Sequence, residues 1–151
     1  MNIRITIAIV AAVILIFAGG YLYKRWRSHH ITAFHDNIMK RAQENDTYRT
    51  VVVTGAQSQL VLMALKPGEE IGEEVHQNTD QTFVFVAGKG TALAEDKTYN
   101  IDKEDVFFVP AGIKHNIKNT GTLPLKLYTI YAPPTHKDGT VHKTKADEPQ
   151  E

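Results

Sequence analysis

From Tyr48 onward the apolar positions fall into short runs, either alternating with polar residues or continuous: Tyr48–Thr54, Gln59–Leu65, Thr82–Ala87, Thr91–Glu95, Val106–Val109, His115–Lys118 and Leu125–Tyr131. A period of two is the signature of strands. Turn signals separate the runs at Thr54-Gly55, Pro67-Gly68, Gly88-Lys89-Gly90, Asp96-Lys97, Ala111-Gly112 and Asn119-Thr120-Gly121. Many short strands with regular punctuation predict an all-β sandwich or barrel over residues 48–134.

The pattern differs on either side of that block. Ile31, Phe34, Ile38 and Met39 recur at helical spacing, predicting a short amphipathic helix or connector over residues 31–47. Ile5–Tyr23 is a 19-residue run broken only by Thr6, Gly19 and Gly20, and as a helix it is roughly 28 Å long. It predicts a transmembrane anchor within residues 1–30. Arg4 precedes the run and Lys24, Arg25 and Arg27 follow it, a bias that places the barrel on the cytoplasmic side of a single-pass membrane protein, with Tyr21, Tyr23 and Trp26 at the interface. The rival is a cleaved secretory signal, for which Ala18-Gly19-Gly20 is a weak cleavage site. Residues 135–151 carry one aliphatic side chain besides alanine, Val141, and are expected to form a poorly ordered tail.

A chain of 151 residues allows one domain of ordinary size with appendages. Its 17 basic and 17 acidic residues cancel, so no global field attracts nucleic acid. The absence of cysteine excludes a disulfide framework, a thiolate zinc site and a cysteine nucleophile.

The candidate chemistry lies in two stretches. In Gly68–Gly88, Glu74 and His76 are two residues apart on an extended segment and project from one face. Asn78-Thr79-Asp80 makes a polar turn, and the following strand returns Gln81 close to His76. In the second stretch, Pro110-Ala111-Gly112 makes a tight bend that aims His115. Glu74, His76, Gln81 and His115 are thus candidate ligands of one metal ion.

These residues resemble the two motifs of the cupin superfamily. Gly68, Glu74, His76, Gln81 and Gly88 have the spacing of the first motif, G-x5-H-x-H-x4-E-x6-G. Pro110, Gly112, His115 and Asn119 match the second, G-x5-P-x-G-x2-H-x3-N, with Glu104 where its first glycine would stand. The resemblance covers roughly residues 48–132. It implies a double-stranded β-helix, or jelly-roll barrel, with a metal in its mouth, here preceded by the transmembrane helix. It further implies a small-molecule ligand and a homodimer. Two departures alter the site: Glu74 stands at the first motif histidine and Gln81 at the motif glutamate. Two histidines and one carboxylate suit iron(II), manganese, nickel, cobalt or zinc. With a divalent ion and one carboxylate the net charge is near +1, which keeps Lewis acidity.

The implied activity is a metal-dependent dioxygenase or a sugar or keto-acid isomerase, with Glu74 as ligand or proton-shuttling base. The alternative is a non-catalytic sugar-binding or sensor cupin. Phe83 and Phe85 share parity with Gln81 and, with Ile117, are expected to line the pocket or to pack as plain core. Glu69, Glu70, Glu73 and Glu74 could be a solvated acidic run, but that reading leaves His76 and His115 unexplained. His136 and His142 read as a solvated pair in the tail, or as part of a tail folded over the barrel mouth.

Overall fold

The computed structural model of the chain describes residues 33–149, and those from Phe34 onward form one compact unit. A short helix, α1 (Ile38–Glu44), precedes nine strands: β1 (Arg49–Thr54), β2 (Gln59–Leu65), β3 (Asp80–Ala87), β4 (Gly90–Ala94), β5 (Lys97–Ile101), β6 (Val106–Val109), β7 (His115–Asn119), β8 (Leu125–Ala132) and β9 (Val141–His142). Asn37 caps α1 by accepting from the Lys40 amide at 3.1 Å. The helix lays Ala42 and Ile38 on a small apolar cluster with Leu62, Val86, Val52 and Tyr128.

Six strands form one sheet in the order β6-β3-β8-β2-β1-β9, and three form another in the order β5-β4-β7. The segment from Gly68 to His76 extends the smaller sheet along β7. Its backbone pairs through Ile71 N to Ile117 O at 2.9 Å, and through mutual Glu74–His115 bonds of 2.9 and 3.0 Å.

Strand alternation divides the interior into layers. Leu125, Leu127, Thr129 and Tyr131 of β8 and Gln81, Phe83 and Phe85 of β3 point inward, as do His115, Ile117 and Asn119 of β7. Register then sorts them: Gln81 pairs with Tyr131, and Tyr131 with Gln59, so one end of the barrel is polar. Beneath lies an apolar floor of Phe83, Phe85, Ile117, Leu125 and Leu127. At the far end Asn119 is buried and satisfied, donating to Leu65 O and Leu123 O at 2.8 and 2.9 Å and accepting from Gly121 N.

The structure revises several expectations. Among the described residues no helix is long and apolar enough to cross a membrane. The fold class is therefore corrected from a jelly-roll barrel preceded by a transmembrane helix to an all-β cupin-like fold, and the single-pass, cytoplasm-facing membrane localisation falls with the helix. The run Ile5–Tyr23 that suggested it lies outside the described residues. The tail expected to be poorly ordered instead pairs β9 with the edge of β1, at Arg49–His142 and Thr50–Val141. It then ends in a 3-10 turn over Lys145–Asp147. Polar contacts hold it where apolar periodicity is lacking: Gln59 donates to His136 O at 2.8 Å and accepts from His136 N at 3.0 Å, and Lys145 Nζ donates to Glu70 O at 2.7 Å. β5 lacked the apolar signal because four of its five residues are exposed.

Two backbone positions show what the motif spacing secures. Gly88 has φ +87°, and a Cβ there would lie 2.5 Å from Pro124 O and 2.8 Å from Leu125 Cα. Glu104, where the second motif has glycine, takes φ +76° without being one. Gly88→Ala should lower the unfolding free energy by roughly 2–4 kcal/mol, from left-handed strain plus backbone collision. Glu104→Gly should be neutral or stabilising by up to about 1 kcal/mol, because it relieves the same strain. Urea unfolding of both variants checks the contrast; equal losses would show that neither backbone conformation matters.

Candidate metal centre

The extended segment and β7 bring Glu74, His76 and His115 together at the polar end of the barrel, with one ligand atom from each, all within 4.8 Å of one another. Glu74 and His76 share a face because they are two residues apart on extended backbone, and Glu74 Oε2 lies 3.3 Å from His76 Nε2 and 4.0 Å from His115 Nε2. The bend after Pro110 is fixed by Gly112 N donating to His76 O at 2.9 Å and Ala111 N donating to Asp80 Oδ1 at 2.9 Å. It therefore ties the His115 loop to the His76 turn.

The hydrogen bonds of His115 decide what the site can hold. Its Nδ1–H donates to Ile113 O at 3.0 Å, which leaves a lone pair on Nε2 of the neutral ring. The ring is neutral because burial pushes its pKa down more than the Ile113 carbonyl and Glu74 raise it. Gln81 Oε1, also a lone-pair atom, faces Nε2 at 3.0 Å. Glu74 Oε2 and His76 Nε2 have no hydrogen-bond partner among the described residues. Glu74 Oε2, His115 Nε2 and, as the amide is set here, Gln81 Oε1 converge as acceptors with His76 Nε2, an arrangement suited to a cation when His76 carries its proton on Nδ1. Two imidazoles, a carboxylate and an amide oxygen fit a divalent first-row ion.

Burial raises the Glu74 carboxyl pKa, but His76 and the Arg49 guanidinium outweigh burial and hold it below the usual carboxylate value. Glu74 is thus an anion, better suited to ligation than to proton transfer near neutrality.

Of the other predicted site residues, Phe83 sets its ring edge-on to His115, with centroids 6.0 Å apart. Phe85 stacks on Phe83, and with Ile117 both are fully buried in the core beneath the cluster. Sequence reasoning passed over Arg49, Tyr131 and Glu148 around the cluster, and weighed His136 only as a solvated tail residue or as part of a tail folded over the barrel mouth. Arg49, only 3% exposed, reaches Glu74 Oε1 at 3.8 Å through Nη2 and pairs through Nη1 with Glu148 of the tail. Tyr131 packs edge-on against His76 at 5.6 Å and against His136 at 4.9 Å. An arginine at an inward strand position, in parity with Val51, was the available signal for the first; Tyr131 shared parity with Leu127. Nothing in the tail marked Glu148, whereas a tail folded over the barrel mouth was the alternative reading for His136. His142 sits half-buried on β9, apart from its expected solvated pairing with His136.

The family pattern described as Cupin domain matches residues 61–131. The crystal structure of BH2720 from Bacillus halodurans is 38% identical, covering 79% of this chain and 96% of that one, with a TM-score of 0.75. The chain belongs to the cupin superfamily. This cupin is also 45% identical over 117 residues to YrkC of Bacillus subtilis, a match covering 74% of the chain and 63% of YrkC. It is 26% identical over 104 residues to a mannose-1-phosphate guanylyltransferase of Salmonella montevideo, covering 69% of the chain but 21% of that protein. The chain therefore spans less than two thirds of either curated relative. Cupins bind small molecules, commonly through a divalent metal, and the His/Glu cluster here is such a candidate site.

The buried rings set a pH dependence. Burial, and then the charge of Arg49, push the His136 imidazole down to about 4. Between an unfolded value near 6.5 and that folded value, the unfolded chain binds more protons, so stability rises with pH. The contribution is complete above about pH 6.5 and is lost as pH falls toward about 4; His115 acts with the same sign. Urea unfolding at pH 7.5, 5.5 and 4.5 should show a shallower loss in His136→Gln than in the parent. An identical slope would mean that His136 is not held neutral.

Proposed function

We propose that this cupin is a metal-dependent small-molecule enzyme whose divalent ion is held by Glu74, His76 and His115, with Gln81 as a fourth, neutral ligand. The observation that carries it is the convergence of one ligand atom each from Glu74, His76 and His115 within 4.8 Å of one another, with Gln81 Oε1 3.0 Å from His115 Nε2. When bound there, iron(II), manganese, nickel, cobalt or zinc supplies Lewis acidity toward a ligand oxygen, and iron(II) also supplies redox chemistry.

The remaining work falls to the chain. The Ile113 carbonyl fixes the tautomer and plane of His115, and Arg49 keeps Glu74 ionised. Phe83 closes the floor against water. The Tyr131 hydroxyl, held protonated by burial, is positioned to donate to a bound oxygen. Two reaction classes use these parts: isomerisation of a sugar or keto acid through proton transfer beside a polarised carbonyl, and oxygenation in the manner of an open two-histidine, one-carboxylate iron site. The guanylyltransferase relatives, named for a sugar phosphate, support a sugar arm, at 26% identity over one-fifth of their length.

A second reading, a non-catalytic binding cupin, draws on the Gln81 amide. Rotated by 180°, its Nε2 would donate to His115 Nε2 and satisfy both groups without an ion.

Metal analysis of the purified protein, with assays for oxygen uptake and isomerisation, separates these. Metal with oxygen uptake supports the oxygenase, metal with isomerisation the isomerase, and no metal the binding module. His76→Ala and His115→Ala should each lose at least tenfold in metal affinity while remaining folded, by far-UV circular dichroism. Gln81→Glu adds a second anion beside the ion. It should melt higher than the parent in saturating metal and lower after chelation, where it meets only the negative charge of Glu74. Melting indifferent to metal in both proteins would remove Gln81 from the site.

A further inference from the structure

Arg49 is not explained by its ion pairs. Its guanidinium is almost wholly buried, with Nη1 on Glu148 and Nη2 only within 3.8 Å of Glu74 Oε1. Nε and Nη2 have no hydrogen-bond partner among the described residues, and neither has the buried Tyr131 hydroxyl nor His136 Nε2. A buried charged donor left without an acceptor costs about 1–3 kcal/mol or more. Two charged donor sites of Arg49 and two neutral polar groups thus lie without partners at the same end of the barrel as the metal-ligand set, on the side that the tail covers.

From this we infer that Arg49, with Tyr131 and His136, forms a carboxylate subsite beside the metal centre, taking a small 2-hydroxy or 2-oxo acid. The inference rests on the metal-centre reading above. Three arguments fix the ligand class. The Nε/Nη2 edge of a guanidinium is a planar fork that matches a carboxylate side-on. Glu74 sets the span, since one of its oxygens lies 3.8 Å from Nη2 while the other lies 3.3 Å from His76 Nε2. A carboxylate seated on the Nε/Nη2 edge would reach the Glu74, His76 and His115 set with a second oxygen on the carboxylate itself or on the adjacent carbon. Charge selects a monoanion: a divalent ion, Arg49, Glu74 and Glu148 leave one net positive charge, which a carboxylate neutralises and a phosphate dianion exceeds. Glu148, delivered by the tail, sits on Nη1 at the other edge, where its negative charge offsets the guanidinium that a bound carboxylate meets.

Glycolate, ethylene glycol and inorganic phosphate, titrated calorimetrically into the full chain loaded with manganese(II), test this. Glycolate should bind, and ethylene glycol, which lacks the carboxylate, should not. Arg49→Lys should weaken glycolate at least tenfold, since hydrogen bonds to charged groups contribute about 1.5–3 kcal/mol. Tyr131→Phe should weaken it less. Glu148→Gln, which removes the negative charge offsetting the guanidinium, should tighten glycolate several-fold, a gain that a merely structural role would not produce. It decides the matter if Arg49→Lys does not fold. Unchanged glycolate affinity in Glu148→Gln, or phosphate binding more tightly than glycolate, overturns the subsite while leaving the metal centre standing. A full chain that binds neither manganese nor another divalent ion overturns both.

Discussion

The site depends on one electrostatic constraint: the ligand atoms of Glu74, His76, Gln81 and His115 are turned toward one another, where acceptors repel unless a cation or a proton lies between them. The backbone does not let them separate. Glu74 and His115 are locked across the extended segment by two hydrogen bonds of 2.9 and 3.0 Å, and the His76 carbonyl is held by Gly112. Sheet geometry thus fixes how closely these atoms crowd, and a cation, a shared proton or a rotated Gln81 amide is what such crowding calls for.

That crowding is tolerable because of the layering beneath it. Alternation on β3, β7 and β8 sends every second side chain inward, and register aligns Gln81, Tyr131 and Gln59 at one end while Phe83, Phe85 and Leu127 fill the next layers. The apolar layers contribute most of the burial energy, so the polar end can retain unpaired groups. Asn119 closes the opposite end with all its amide groups in use. A buried amide with three partners stabilises structure; buried groups without partners mark the end where a ligand belongs.

Much of this was legible from the chain. Strand parity and turn residues located seven of the nine strands, and motif spacing located Glu74, His76, Gln81 and His115. What escaped notice was held by interactions that leave no periodic trace. β5 is exposed and polar, and β9 depends on pairing with an edge supplied by β1, about 90 residues earlier. His136 is placed by the Gln59 side chain and Glu148 by Arg49, contacts of 77 and 99 residues' separation. Low apolar content argued for a loose tail, but ion pairs and reciprocal amide bonds to a rigid barrel order it.

The departures from the usual motif become intelligible once Arg49 is considered. A carboxylate at position 81 would stand opposite Tyr131 and against His115, with the buried guanidinium facing only Glu148. Placed at position 74 it lies within 3.8 Å of Arg49, which lowers its pKa and keeps it an anion in a site that burial would otherwise drive toward neutrality. The amide at 81 adds an oxygen to the cluster without adding charge. Moving one negative charge from strand β3 to the extended segment thus couples the metal set to the arginine. It leaves the Nε/Nη2 edge of that arginine, the Tyr131 hydroxyl and His136 Nε2 as groups that a bound carboxylate can satisfy.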